Sequence, residues 1–69
     1  MKIGEIWISD NEGYTIRLID FYKKLIYVRE ELRPVDYVAY EVVKDPTRDV
    51  LDGDMPRAQL IDCYSKVYG

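Results

Sequence analysis

The chain has no histidine, so it lacks both the commonest general base and the commonest metal ligand of proteins. Neither a Ser-His-Asp triad nor a Cys-His pair can be built from it. One cysteine, Cys63, is too few for an internal disulfide or for a zinc cluster. The four glycines, at positions 4, 13, 53 and 69, lie too far apart in sequence to make a phosphate-cradling loop. No apolar run approaches the ~20 residues that cross a bilayer. The N-terminal segment shows no basic n-region followed by an apolar h-region, so no signal peptide is expected. With neither disulfide staples nor a leader, the expected location is the cytoplasm. Alanine, the best helix former, occurs only twice. These absences count against catalysis, metal binding, membrane insertion and a helical fold. No cofactor is expected.

What is present points to a β protein. Seven Ile, seven Val, seven Tyr, two Thr, one Trp and one Phe make up over a third of the 69 residues, and these types suit a pleated, half-buried surface. The length allows one domain, residues 1–69, which buries roughly 60% of the surface of its unfolded chain. So small a core leaves little room for an internal site, and function is expected on the surface. The net charge is −3, too mild for a nucleic-acid mimic and unhelpful for binding polyanions. Residues 14–29 nevertheless carry four positive charges, Arg17, Lys23, Lys24 and Arg29, against one negative.

Period-two alternation predicts a first strand over 5–9, closed by the polar turn Asp10-Asn11-Glu12-Gly13. A second strand follows over 14–20, with Tyr14, Ile16 and Leu18 on one face. Residues 20–24 are expected to reverse the chain into a third strand over 25–29, with Ile26 and Val28 facing the core. Residues 30–34 read as a connection, because Pro34 cannot donate to a ladder. The fourth strand, 36–43, would place Val38, Tyr40 and Val42 on its core face. Residues 49–52 read as a short fifth strand or an extended arm ended by Gly53. Asp54-Met55-Pro56 then predicts the start of a helix, with Asp54 capping it and Pro56 in its first turn. Residues 57–64 would form about two turns with Leu60, Ile61 and Tyr64 at helical spacing on one face, and Val67 and Tyr68 add a last short strand. The expected fold is mainly β: a strongly bent five-stranded antiparallel SH3-like barrel with one short C-terminal helix. Closing the sheet hides edges that would otherwise aggregate. An open antiparallel sheet packed on one helix is the alternative.

Three stretches carry a resemblance at the level of layout: Lys2-Ile3-Gly4-Glu5-Ile6-Trp7, Tyr14-x-Ile16-x-Leu18-Ile19-Asp20, and Met55-Pro56-Arg57-x-x-Leu60-Ile61-Asp62-x-Tyr64-x-Lys66-Val67. The chain resembles small phage and prophage proteins of SH3-like barrel type. The resemblance implies an accessory protein of the infected bacterial cytoplasm that binds a host or phage macromolecule. It carries no catalytic signature.

Residues 49–54 bear testing as a hard-cation loop, but only Asp52-Gly53-Asp54 fits the acidic-Gly pattern, and a tight turn with a helix cap is the simpler reading. Tyrosine is the departure from ordinary composition. Tyr14, Tyr22, Tyr27, Tyr37, Tyr40, Tyr64 and Tyr68 exceed what so small a core can hold, since each phenol also needs a hydrogen-bonding partner. Tyr and Arg are enriched at interface hot spots. The candidate contact face is therefore Arg17, Tyr22, Tyr27, Arg29, Arg33 and Tyr37. It suits a non-enzymatic protein-binding module whose partner is a host or phage protein, with inhibition as one outcome, or a second copy of the chain. Single-stranded nucleic acid, stacked on Tyr beside the basic residues, is the alternative, disfavoured by the acidic second half. Capture of a nucleotide between protomers is a third reading. A proline-rich peptide ligand is disfavoured, because the Ala-Leu-Tyr-Asp-Tyr signature is missing.

Overall fold

The computed structural model describes residues 1–68 and contains β1 (Ile6–Ser9), β2 (Thr15–Val28), β3 (Glu31–Lys44), β4 (Gly53–Pro56), α1 (Arg57–Cys63) and β5 (Tyr64–Tyr68). The strands form one antiparallel sheet in the order β4-β3-β2-β1-β5. The mainly β, five-stranded architecture with one short C-terminal helix is as the sequence predicts. Edge strands β4 and β5 are joined through α1, with no ladder between them among the described residues. This arrangement is compatible with a bent barrel.

The larger correction concerns the middle of the chain. Residues 20–24 do not turn; β2 runs straight through them for 14 residues. Residues 30–34, read as a connection, belong to β3, which also has 14 residues and includes Pro34. The reversal is at Arg29-Glu30, a two-residue hairpin loop in which both residues have positive φ, 52° and 67°. Those angles match the turn type whose twist fits antiparallel strands, although neither residue is the glycine or asparagine that adopts them at least cost.

A bulge between Leu18 and Asp20 reverses the side-chain alternation of β2. Leu18 pairs with Tyr40, but Asp20 pairs with Ala39 and Phe21 with Val38, so Ile19 is an extra residue. Before it, even positions (Ile16, Leu18) face the core. After it, odd positions (Phe21, Lys23, Leu25, Tyr27) share the face of Val38, because directly opposed residues lie on one side of the sheet. Ile26 and Val28, expected to face the core, therefore lie on the other face.

The core is Tyr14, Ile16, Leu18, Val38, Met55, Leu60 and Tyr64, flanked by Trp7, Tyr40, Val42 and Val50. All of it lies in the half of the sheet where β1, β4 and β5 pair. Val38, Tyr40 and Val42 share the core face as predicted. Burying each aliphatic side chain contributes about 1.5–3 kcal/mol. Tyr14 and Tyr64 meet edge to face, centroids 5.8 Å apart, with their hydroxyls hydrogen-bonded. Burial, with this bond second, pushes the Tyr64 phenol well above its usual range.

The second half of the chain follows its signals with local changes. Residues 49–52 form no strand, and Gly53 begins one rather than ending one. Pro56 stands immediately before α1 as its N-cap, and no side chain caps the helix. Leu60 is fully buried and Tyr64 nearly so, whereas Ile61 is 57% exposed, because seven residues anchor only a narrow face.

Glu5 is a buried carboxylate. Lys66 Nζ lies 3.0 Å from it, and Trp7 Nε1 donates at 3.2 Å. Burial raises the Glu5 pKa, but the Lys66 and Trp7 hydrogen bonds, a backbone hydrogen bond at Lys2 and the Lys66 charge outweigh it, and the value is lowered from 4.5.

Two outcomes follow from these contacts. Changing Arg29-Glu30 to Asn-Gly should raise stability by about 1–2 kcal/mol by relieving two left-handed non-glycine residues, read as a higher urea midpoint at unchanged slope. The depressed Glu5 pKa makes its contribution full above 4.5 and lost as the pH falls through the lowered folded value. Glu5→Gln should therefore be less stable than wild type by about 1–3 kcal/mol at neutral pH, with the gap closing on acidification in urea titrations.

Candidate functional site

Beyond Tyr22 and Tyr37 no other described strand pairs with the β2–β3 hairpin. β1 pairs with β2 only at Thr15–Arg17, and β4 pairs with β3 only at Tyr37–Tyr40. Residues 23–36 thus form an arm about 20 Å long, at ~3.3 Å per residue of strand, with both edges free of any other described strand. The protein measures 39 × 23 × 18 Å. Its radius of gyration of 12.8 Å exceeds the ~11 Å of a compact chain of this length.

The two faces of the arm differ in chemistry. On the outer face, away from the core, Tyr22 and Tyr37 are direct cross-strand partners with rings stacked at 6.1 Å. Lys24 Nζ lies 4.5 Å from the Tyr37 centroid and 5.8 Å from that of Tyr22. From β4, Asp54 accepts the Tyr22 hydroxyl and sits 2.9 Å from Lys24 Nζ. The carboxylate expected to cap α1 instead ties β4 to the hairpin. Its neighbour Asp52 accepts the backbone N–H of Val42 at 2.8 Å. Farther along, Arg33 donates to Glu31 at 2.9 Å. On the same side of the sheet but before the bulge, Arg17 donates to Glu41 at 2.6 Å.

On the inner face, which continues the core side, Phe21, Lys23, Leu25 and Tyr27 on β2 run beside Leu32, Pro34 and Asp36 on β3. Leu25 opposes Pro34 and Tyr27 opposes Leu32. Leu25, Tyr27 and Leu32 are 68%, 73% and 53% exposed. At the base of the arm an open cavity of about 340 Å³ is lined by Met1, Phe21, Tyr22, Lys23, Asp36, Tyr37 and Arg57. A shallow cleft beside it brings Pro34, Val35 and Asp36 against Arg57, Ala58 and Ile61 of α1.

The six residues of the predicted contact face are therefore divided. Tyr22 and Tyr37 are brought together, Arg33 shares their face, and Arg17 lies on that side nearer the core. Arg29 is at the hairpin tip. Tyr27 is on the opposite face, because the bulge at Ile19 shifts the parity of everything after it. Lys24 and Asp54, which hold the tyrosine pair, were not among the six. Their signal was positional: once the loop is placed at 29–30, Lys24 falls diagonally beside Tyr37.

The ionisable groups with displaced pKa values move away from neutrality. Glu5 is lowered as described. Asp45 is lowered first by the Val50 backbone N–H and then, against some desolvation, by Thr47. Tyr40 is raised, first by burial and then by Tyr14 and Asp52. Tyr64 is raised as described. Cys63 ends α1, exposed and free. Among the described residues no group of three or more Cys, Asp or Glu side chains converges as a metal site, and no helix is long and apolar enough to cross a membrane. No protein-family model, no curated protein and no solved structure matches the chain.

Because Lys24 touches both rings and Asp54, its coupling to Asp54 should exceed that of an isolated surface pair. A Lys24→Met, Asp54→Asn double-mutant cycle is expected to return about 0.5–1 kcal/mol in urea unfolding. The Arg33–Glu31 pair, on exposed neighbours of one strand, should return close to zero in the same assay.

Proposed function

We propose that the protein is a non-enzymatic protein-binding module whose contact face is the outer face of the hairpin arm. The observation that carries this reading is the arm itself: a two-stranded element that no other described strand pairs with beyond its base. It presents a fixed Tyr22–Tyr37 stack with Arg33 beyond it. Tyrosine gives contact area at little entropic cost, and arginine adds directional hydrogen bonds, the combination found at interface hot spots. The absence of histidine and the displacement of titrating groups away from neutrality support a role without acid-base catalysis. The layout resemblance extends the reading to a phage accessory protein of the bacterial cytoplasm that binds a host protein, with inhibition as one outcome.

Single-stranded nucleic acid is the weaker partner class. Tyr22 and Tyr37 already stack on each other, and the arm with its base, residues 20–37, carries four cations and four carboxylates. Such a surface lacks the basic groove that tracks a phosphate backbone.

The test is affinity capture from bacterial lysate with wild-type protein and with Tyr37→Ala and Arg33→Glu, each checked for folding by circular dichroism. A specific protein retained by the wild type and lost by both variants supports the reading. Retention by both folded variants, or capture of nucleic acid that salt removes, overturns it.

A further inference from the structure

The bulge at Ile19, which sorts side chains between the two faces of the arm, also fixes which backbone groups reach each edge. In a two-residue hairpin the residues flanking the loop, Val28 and Glu31, exchange both backbone hydrogen bonds, and bonded and non-bonded pairs alternate from there. Ile26 with Arg33 and Lys24 with Val35 are bonded pairs, so Phe21, Lys23, Leu25 and Tyr27 aim their N–H and C=O groups away from β3, at the edge of the sheet. Contacts on both sides of the bulge have this direction. Leu18 donates its N–H to the Glu5 carbonyl at 3.0 Å and accepts the Gly4 N–H at 2.8 Å on that same edge. The Phe21 N–H, with no β3 carbonyl to reach, is taken by the carboxylate of Asp20 at 2.8 Å.

The two edges of the arm are not equivalent. On β3 the outward groups belong to Leu32, Pro34 and Asp36, and Pro34 has no N–H to give, which blocks strand addition there. Nearer the core, β4 pairs with Val38 and Tyr40, and Asp52 accepts the Val42 N–H. On β2, β1 and the two residues before it fill the edge from Thr15 to Leu18. Gly4, at φ 93°, and the hydrogen bond from Glu5 N–H to the Lys2 carbonyl mark the turn at which the chain leaves that line. From Lys23 to Tyr27 the β2 edge holds no proline, and no described strand pairs with it.

We propose that this edge takes an extended, acidic segment of a partner protein as a further antiparallel strand, collinear with β1. In such pairing the main chain supplies affinity and alternate side chains supply selectivity. Charge fixes the kind of segment. Residues 21–29 carry Lys23, Lys24 and Arg29 and no carboxylate. Opposite charges attract across a ladder and like charges repel, so carboxylates facing Lys23 and Lys24 fit this strand. Leu25 and Tyr27, both exposed on the inner face, call for apolar residues opposite them. A second copy fits less well. The self-pairing that engages all of Lys23, Leu25 and Tyr27 is centred on Leu25, and it sets Lys24 diagonally beside the Lys24 of the other copy and Arg29 beside its Lys23. The occupant is thus a proline-free segment with apolar residues at alternate positions and carboxylates toward its C-terminal end. This surface is a main-chain edge, and it does not depend on the outer-face reading.

The probe is the capped peptide acetyl-Glu-Thr-Val-Thr-Val-Glu-Glu-amide, whose valines face Tyr27 and Leu25 and whose last two glutamates face Lys24 and Lys23 in the antiparallel register. Amide hydrogen exchange on the intact chain, read by NMR, tests the proposal. Without peptide, the Lys24, Ile26 and Val28 amides should exchange about tenfold more slowly than those of Lys23, Leu25 and Tyr27. Peptide at about 2 mM, twice a dissociation constant of about 1 mM, should slow the second set about threefold. Methylating the two valine nitrogens keeps every side chain and should abolish that protection, and replacing the glutamates by lysines should weaken it. Leu25→Pro removes one outward N–H at a non-bonded pair position of the kind Pro34 already occupies, so the fold is expected to persist by circular dichroism while peptide binding falls by about tenfold. Arg33→Ala should leave peptide binding in place, which separates this edge from the outer face. Uniform exchange along residues 23–28 of the free chain, no protection by the peptide, equal binding of the methylated peptide, full binding by the folded Leu25→Pro variant, or protection that appears with protein concentration alone overturns the proposal.

Discussion

Ile19, the one residue by which β2 exceeds its partner strand between Leu18 and Asp20, determines what each side of the hairpin presents. Up to Leu18 the inward positions are even and filled by Ile16 and Leu18. Past it they are odd, and Phe21, Leu25 and Tyr27 inherit the apolar face while Tyr22, Lys24 and Ile26 turn outward. Without the extra residue, Ile26 and Val28 would line the inner face and Tyr27 would join the outer one. A slip of one residue moves a whole strand's side chains to the other side of the sheet. Here that slip is built into one strand, so the two halves of β2 serve different purposes. The core half packs a small hydrophobic cluster, and the arm half displays two faces of different chemistry.

The size of the chain explains why the core occupies only one end. Among the described residues eight hydrophobic side chains are buried, and they come from β1, β2, β3, β4, α1, β5 and the residue preceding β2. A chain of 69 residues cannot wrap a hairpin of two 14-residue strands along its full length. What β1, β4 and β5 can cover ends at Tyr22 and Tyr37. At that boundary the Tyr22–Tyr37–Lys24–Asp54 cluster seals the outer face, and an open cavity lined by residues of both faces, Phe21, Lys23 and Asp36 with Tyr22 and Tyr37, lies at the base of the arm. On the opposite flank the buried Glu5, held by Lys66 and Trp7, links the start of the chain to β5. Both ends of the core are thus fastened by polar contacts whose partners come from distant parts of the sequence.

Local signals in the sequence were legible where local physics decides. The alternation of Tyr14, Ile16 and Leu18, the valine face of 36–43, the turn ending at Gly13 with its positive φ, and the helix after Pro56 were all readable from residue type. The hairpin loop was not, because Arg29-Glu30 has neither glycine nor asparagine, and the strands gain enough from pairing to hold both in the left-handed region. Pro34 suggested a connection, yet a proline is tolerated in a strand whose other edge is open. The bulge could not be read at all, since it is set by pairing between residues distant in sequence. The site inherits these limits. Tyr22 and Tyr37 stood out by composition, but their adjacency depends on the loop, and the placement of Tyr27 depends on the bulge. Once the loop is fixed, positions from 20 to 39 pair so that their numbers add to 59: 22 with 37, 25 with 34, 27 with 32.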